Sequence, residues 1–197
     1  MRHLEETVEV EQLRDKSDKY KIGDVIYLNG KIAIARDQAH KRLAQARLFA
    51  GDILRLPIYH SGPIAKLNGH EWVFSAAGPT TSSRMEKYIE AIVPKYHTPT
   101  LIGKGGFGKT GKNILKKYGI FYCELTGGAS AAVVQRIEKV DKFLFGDLGT
   151  SEALWVVLVK SFGPLLVTQD SKGNDLRLEI HQRSLEKLKQ VLKKYSL

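Results

Sequence analysis

With one cysteine among its 197 residues, the chain can form no internal disulfide, and it cannot build a cysteine-rich metal site from its own residues. Long hydrophobic runs are missing too. The most apolar stretches, "ALWVVLV" and "GPLLV", fall far short of the roughly 20 residues that span a bilayer. The first sixteen residues, "MRHLEETVEVEQLRDK", carry mixed charge and lack the apolar core of a secretory signal. These absences lead us to expect a cytoplasmic protein with no membrane association. No internal repeat, low-complexity stretch or linker divides the chain, so one domain over residues 1–197 is the economical reading. Hydrophobic content of 43% and charged content of 26% are ordinary for a soluble globular protein with a sizeable core, which sets disorder aside.

What the chain has in excess is positive charge, a formal +10. That points to an anionic partner: nucleic acid, an acidic protein surface or a small anion. Much of the excess lies in "KTGKNILKKYG" and in the last helix, "HQRSLEKLKQVLKKYSL", where lysines can simply keep an amphipathic helix soluble. No aromatic stacking platform or helix-turn-helix spacing accompanies the charge, so nucleic acid is not the expected partner.

Strands alternate with short helices, which predicts a mixed α/β layer structure with partly parallel pairing. "DVIYL" and "KIAIA" joined by Asn29-Gly30 read as a β-hairpin. A helix is expected from Gln38 to Gly51, then strands at "PIYH" and "EWVFSAA", and a helix after Arg84 that Pro94 ends. Further on, "TPTLIG" and "IFYCEL" read as strands around a helix closed by Gly119. "GASAAVVQRIEKV" reads as a helix, followed by three strands, "KFLFGD", "LWVVLVK" and "GPLLVTQD". A C-terminal amphipathic helix over 178–197 completes the pattern.

Two glycine-led stretches invite an anion. "GKGGFGKT", Gly103 to Thr110, fits both the nucleoside-triphosphate loop and the dinucleotide fingerprint. Its context argues against both: for the phosphate loop, about a hundred residues of apparent fold precede it and Gly111 interrupts the following helix, and for the dinucleotide site no acidic residue ends a strand about 20 residues after the last glycine. What remains is a set of backbone N–H groups beside Lys104 at a strand end. "GPTTSSRM", Gly78 to Met85, is more promising. Gly78 and Pro79 stiffen a loop into a helix start, where Ser83 and Glu86 have capping-box form. Thr80 and Thr81 offer hydroxyls, and Arg84 in the first turn can grip a carboxylate bidentately. In "ARDQAHKR", Arg36 and Asp37 fall where strand gives way to helix. His40 lies one turn on, where Asp37 would orient the imidazole and favour its charged form.

Taken in order, "GDVIYLNGKIAIARDQAHKRL", "IYHSGP", "AAGPTTSSRM", "IGKGG", "DLGTSEALW" and "FGPLLVTQDSKGNDL" resemble the β subunit of two-subunit class I fumarate hydratases and L(+)-tartrate dehydratases. The resemblance covers residues 20 to 177. It leaves residues 1–16 as an N-terminal extension and the last helix outside. It implies a swivelling β/β/α domain with a mixed sheet and flanking helices, and an iron–sulfur hydro-lyase that hydrates fumarate or dehydrates tartrate. The [4Fe-4S] cluster of that family is held by three cysteines of an α subunit, so a single cysteine here implies an obligatory partner chain and a hetero-oligomer. The resemblance assigns Arg36, Arg84 and Lys104 to the carboxylates of a C4 dicarboxylate. It assigns Thr80 to proton abstraction, Thr81 to substrate, and His40, with Asp37 behind it, to a supporting acid/base or orienting role. Whether Thr80 is the base or only holds substrate stays open. "TSEALW" departs from the glycine-methionine usual before the glutamate, and "FGKTGKN" adds positive charge to the glycine loop. A phosphate-loop nucleotide hydrolase and a basic nucleic-acid-binding module are the rival readings from other classes.

Overall fold

The computed structural model describes residues 3–45, 51 and 53–195. Among them are nine strands and five helices: β1 (Glu5–Glu9), β2 (Val25–Ala35), α1 (Asp37–Gln45), β3 (Ile58–His60), β4 (Ile64–Asn68), β5 (Glu71–Ala76), α2 (Glu86–Tyr96), β6 (Thr100–Gly103), α3 (Lys109–Tyr118), β7 (Phe121–Glu124), α4 (Ser130–Val134), β8 (Ile137–Leu144), β9 (Leu154–Gln169) and α5 (Leu176–Lys194). The chain is therefore mixed α/β, with a mixed sheet and flanking helices.

Strands β2, β3, β6 and β7 run parallel, and β9 returns antiparallel to both β7 and β2. Hydrogen bonding thus follows a closed circuit, with β1 added along β2 and β8 along β9. Residues 5–9 of the expected N-terminal extension are part of this sheet. The alternation of side chains along a strand sorts two cores. Ile32, Ile34, Tyr59, Ile102, Phe121, Cys123, Trp155 and Val157 point to one side. Ala33, Ala35, Ile58, Leu101, Tyr122, Leu154 and Val156 point to the other, where Leu43, Ile89, Ile92, Tyr96 and Leu115 of the helices cover them. Ala33 and Ala35 share this cluster with Ala39 and Leu43 of α1.

Four expectations change. Asn29-Gly30 does not turn a hairpin: β2 runs straight through it, because β9 pairs along its length, and Gly30 takes up a positive φ of 112° where the register shifts. "LWVVLVK" and "GPLLVTQD" are likewise one sixteen-residue strand. The helix expected across "GASAAVVQRIEKV" stops at Val134, since Ile137 onward is drawn into pairing with β9. Pro94 sits inside the last turn of α2, and the helix ends at His97, whose left-handed φ of 51° directs its N–H to the Val93 carbonyl. The expected course of the first helix through residues 46–50 lies outside the described residues. No helix among the described residues is long and apolar enough to cross a membrane.

The parallel strands share one direction, so Arg36 after β2, His60 ending β3, Lys104 after β6 and Glu124 ending β7 gather at one edge. The carboxyl ends of parallel strands are where α/β sheets, open or closed into a barrel, form ligand sites.

Candidate active site

Beyond Ile58–Leu101 and Tyr59–Ile102, β3 and β6 have no further ladder pairs. The segment Pro79–Ser82 inserts between them there, bridged antiparallel to Ser61 and parallel to Lys104. The Thr80 N–H donates to the His60 carbonyl at 2.8 Å, the Lys104 N–H to the Thr80 carbonyl at 3.1 Å, and the Ser82 N–H to the Lys104 carbonyl at 2.9 Å. The row of hydroxyls is thereby divided by direction. Thr80 and Thr81 are half-buried, Ser82 is wholly buried, and Ser83 is exposed.

Arg84 joins this segment to the start of α1. Its Nε donates to Asp37 Oδ1 and its Nη2 to Asp37 Oδ2, each at 3.0 Å, while Nη2 also donates to Thr80 Oγ1 at 2.7 Å. Arg36 Nε stands 3.4 Å from Asp37 Oδ2 and 3.0 Å from Glu152 Oε1. Burial works against the Asp37 charge, but the hydrogen bond and charge of Arg84 outweigh it and hold the carboxyl below its ordinary value. Asp37 thus orients both guanidiniums while leaving Arg84 Nη1 and the terminal nitrogens of Arg36 able to donate to an anion. A Cβ on Gly62 would press against the Arg36 side chain, so glycine there is what lets the guanidinium lie where it does.

Lys104 lines an open cleft of ≈ 470 Å³ with Thr81, Glu124, Thr126 and Arg177. Arg177 pairs with Glu124, and no ion pair ties Lys104 among the described residues. Burial raises the Glu124 carboxyl above its ordinary value against the opposing charge of Arg177. Apart from the Arg177–Glu124 pair, the edge sets three cations, Arg36, Arg84 and Lys104, against the two carboxylates Asp37 and Glu152. A guanidinium donating into the Thr80 hydroxyl oxygen stabilises the alkoxide form, which is what a threonine needs to act as a base.

His40 departs from expectation. Its ring is wholly buried under Arg36, with Nδ1 3.0 Å from the Arg36 carbonyl, an acceptor only, so Nδ1 carries the hydrogen and Nε2 is a bare lone pair. Burial depresses its pKa to about 4, and the through-space pull of Asp37 does not offset this. The imidazole is therefore neutral near pH 7, not the charged form that Asp37 was expected to favour. The Asp37 carboxylate is taken up by the two arginines instead.

The Ser83–Glu86 capping box does not form: Ser83 makes no cap, and the turn at 82–85 is a short 3-10 helix. Glu86 reaches the start of α3, accepting from the Gly108 N–H at 3.0 Å and the Gly111 N–H at 2.6 Å. The place where a nucleotide phosphate would sit is thus filled by a carboxylate of the chain itself.

Sequence reasoning placed Arg36, Asp37, His40, Thr80, Thr81, Arg84 and Lys104 at the site, and the structure brings all seven to one edge. It missed Glu152, whose second oxygen accepts from the Gln38 N–H at 2.9 Å at the start of α1, and it missed His60 and Ser82. The signals were present in "TSEALW", "IYHSGP" and the hydroxyl row, but no spacing rule gave those residues a role. Among the described residues no three His, Cys, Asp or Glu side chains gather as a metal site. Cys123 lies in the core, where burial pushes its thiol well up and keeps it protonated.

A family model described as fumarase C-terminus matches residues 2–180. A protein of Methanocaldococcus jannaschii, provisionally named L(+)-tartrate dehydratase subunit beta, is 37% identical over 179 residues, covering 88% of this chain and 92% of its own. The L(+)-tartrate dehydratase subunit beta of Escherichia coli is 34% identical over 173 residues, covering 87% and 84%. A Geobacillus stearothermophilus protein, provisionally named fumarate hydratase class I, is 38% identical over 188 residues; the match takes in 95% of this chain and 35% of that one.

Proposed function

Since the chain belongs to the fumarase C-terminus family, we propose that it is the β subunit of a two-subunit hydro-lyase acting on a C4 dicarboxylate, with fumarate hydration to malate as the first reading. The observation that carries this is the linked set Arg36–Asp37–Arg84–Thr80 beside Lys104: cations spread along one edge to grip two carboxylates, and a hydroxyl held by one of those cations. Dehydration of L(+)-tartrate is the second reading, favoured by the names of the M. jannaschii and E. coli relatives.

In this reading Arg36, Arg84 and Lys104 bind the carboxylates, with fork geometry suiting the two arginines. Thr81 donates to substrate, and Thr80 takes the proton next to a carboxylate, helped by Arg84. Buried neutral His40 orients Arg36 through its backbone and does not itself exchange protons. The single cysteine of this chain, Cys123, is buried in the core and does not suit an iron–sulfur cluster, so in this reading a [4Fe-4S] group would be held by an α subunit and would supply Lewis-acid chemistry from there. The swivelling β/β/α arrangement would let the strand-end edge close over that partner, in the cytoplasm.

The test is reconstitution. Purified with its α partner and loaded with iron and sulfide under anaerobic conditions, the chain is expected to hydrate fumarate, and the chain alone to be inactive. Turnover of L-tartrate without fumarate would select the second reading. A loaded complex that turned over neither would overturn both.

A further inference from the structure

Beneath the Thr80–Arg84 turn lies a buried polar chain that the proposed chemistry does not use. Ser82 Oγ sits 2.8 Å from His60 Nδ1 and 2.8 Å from the Tyr122 hydroxyl, and all three side chains are fully enclosed. They come from three separate places: the end of β3, the inserted segment and the middle of β7. Ser82 reaches them through a slot that exists because residue 103 is glycine. A Cβ there would collide with Ser82 Oγ and come within 3.2 Å of His60 Cβ and Nδ1. The His60 ring is itself wedged, edge to face, 4.9 Å from the His40 ring and 6.0 Å from Phe107.

This is costly construction. Burying three polar side chains for two hydrogen bonds gains little net stability over apolar groups of the same shape, and the Nε2 atom of His60 is left without a partner. The Ser82 hydroxyl at the centre of the three, however, has both of its neighbours in reach, and a buried polar group so satisfied is held in one geometry where apolar packing tolerates several. The geometry fixed here is that of two substrate-facing groups. His60 holds the Thr80 backbone N–H through its carbonyl and the Ser82 side chain through its ring, while Ser82 and Thr80 bracket Lys104 through their backbones.

We infer that His60, Ser82 and Tyr122 are positioning residues, a buried prop that sets Thr80 and Lys104 in the relative placement catalysis needs. The inference rests on the reading of Thr80 and Lys104 as substrate-facing groups. Ser82 pins the segment from below, two residues from the Thr80 hydroxyl; Tyr122 and His60 hold the pin.

The experiment compares Ser82→Ala, Tyr122→Phe, His60→Leu and His60→Asn in the loaded α–β complex. It adds hydrogen exchange of the segment 78–85 and of Lys104, measured on the full chain. Asparagine places an amide nitrogen where His60 Nδ1 lies, so it keeps the bond to Ser82. Misplacing a reacting group by about 1 Å costs on the order of 100-fold. Ser82→Ala and His60→Leu are expected to lower kcat by about 10- to 100-fold with KM changed less than about threefold. Tyr122→Phe, which leaves the Ser82–His60 bond, is expected to lose less, and His60→Asn to recover most of the activity that His60→Leu loses. Exchange at the segment and at Lys104 is expected to quicken in Ser82→Ala. Leu28→Ala, a core change on the opposite side of the sheet from Tyr122, supplies a variant of lowered thermal midpoint. An equal loss of kcat in Leu28→Ala, a failure of His60→Asn to recover activity, or unchanged exchange in Ser82→Ala would each overturn the inference. If the wild-type complex turned over neither dicarboxylate, the functional reading would fall by that result, while the exchange data would still decide whether the prop holds the segment.

Discussion

Gly78–Met85 and Gly103–Thr110 are both glycine-led loops that run into a helix, and both look like anion sites in the sequence. The structure treats them oppositely. The first inserts between two diverging strands and turns Thr80, Thr81 and Arg84 toward open space, with donors to spare on the guanidinium. In the second, the amides at the helix start are consumed: Gly108 and Gly111 donate to Glu86, and Phe107 donates to Gln169. The helix dipole is present in both cases, so it does not distinguish them. What distinguishes an anion site is donors left over after the chain has satisfied its own acceptors.

The largest effect expected from this difference is on activity. Arg84→Ala removes the guanidinium from Thr80, from Asp37 and from the substrate at once, and a single lost transition-state donor of this kind costs about 100- to 1,000-fold. Steady-state rates of the loaded complex are expected to fall by at least that much. Arg84→Lys should rescue little, because a point charge cannot reproduce the fork that spans Asp37 and Thr80. In the second loop Lys109→Ala is expected to leave the rate within about twofold of wild type. A large loss with Lys109→Ala and none with Arg84→Ala would reverse the comparison and revive the nucleotide reading.

How much of this was legible follows from the range of the forces involved. Arg36, Asp37 and Arg84 could be read because their placement is local: each lies where one element hands over to the next. The strand at "IFYCEL" and the helix closed by Gly119 were legible for the same reason, with Gly119 at a positive φ of 65° as a helix-ending glycine requires. Asn29-Gly30 misled because hairpin chemistry is a local preference, and the pairing of β2 with β9, more than a hundred residues away, overrides it. Ser82 could not be told from its neighbours in "TTSS", since which hydroxyl turns inward depends on the empty space at Gly103 and on Tyr122. Glu86 was assigned to the wrong helix for a related reason. The capping box is a pattern within four residues, and the acceptor went instead to amides more than twenty residues on.

Acid should separate the two loops next. The first loop rests on two fully buried neutral imidazoles, with the His40 pKa depressed to about 4 and that of His60 also lowered by burial. The flanking charges at that point are Asp37 beside His40 and Arg84 near His60. A depressed folded-state pKa means that the unfolded chain takes up the proton first, so stability is present above about pH 6.5 and is lost as the pH falls toward 4. At 1.36 kcal/mol per pKa unit, His40 alone is worth about 3 kcal/mol over that window. The unfolding free energy is expected to decline from pH 6.5 to 4, with exchange quickening at Thr80 and Ser82 before it does at Gly108 and Gly111. A stability flat across that range would show that both imidazoles are solvated. Equal quickening in the two loops would show that they share one support.

The smallest effect concerns the closed loop. Glu86→Ala would leave the Gly108 and Gly111 amides without their acceptor. An unsatisfied buried donor costs about 1–3 kcal/mol, reduced wherever water can replace the lost oxygen. Gly108 is exposed and Gly111 buried, so the cost should fall mainly on Gly111 and sit near the lower end of that range. Glu86→Gln, which keeps one oxygen acceptor for two donors, should lose less than Glu86→Ala. Thermal unfolding of the three chains is expected to rank wild type, Glu86→Gln, Glu86→Ala. Inorganic phosphate should raise the midpoint of Glu86→Ala more than that of wild type, because only in the variant are the amides of the second loop left over in the way the donors of the first loop are. Phosphate held by the first loop raises both midpoints alike, so the difference between the chains is the readout; equal shifts would show that the freed amides take up no anion.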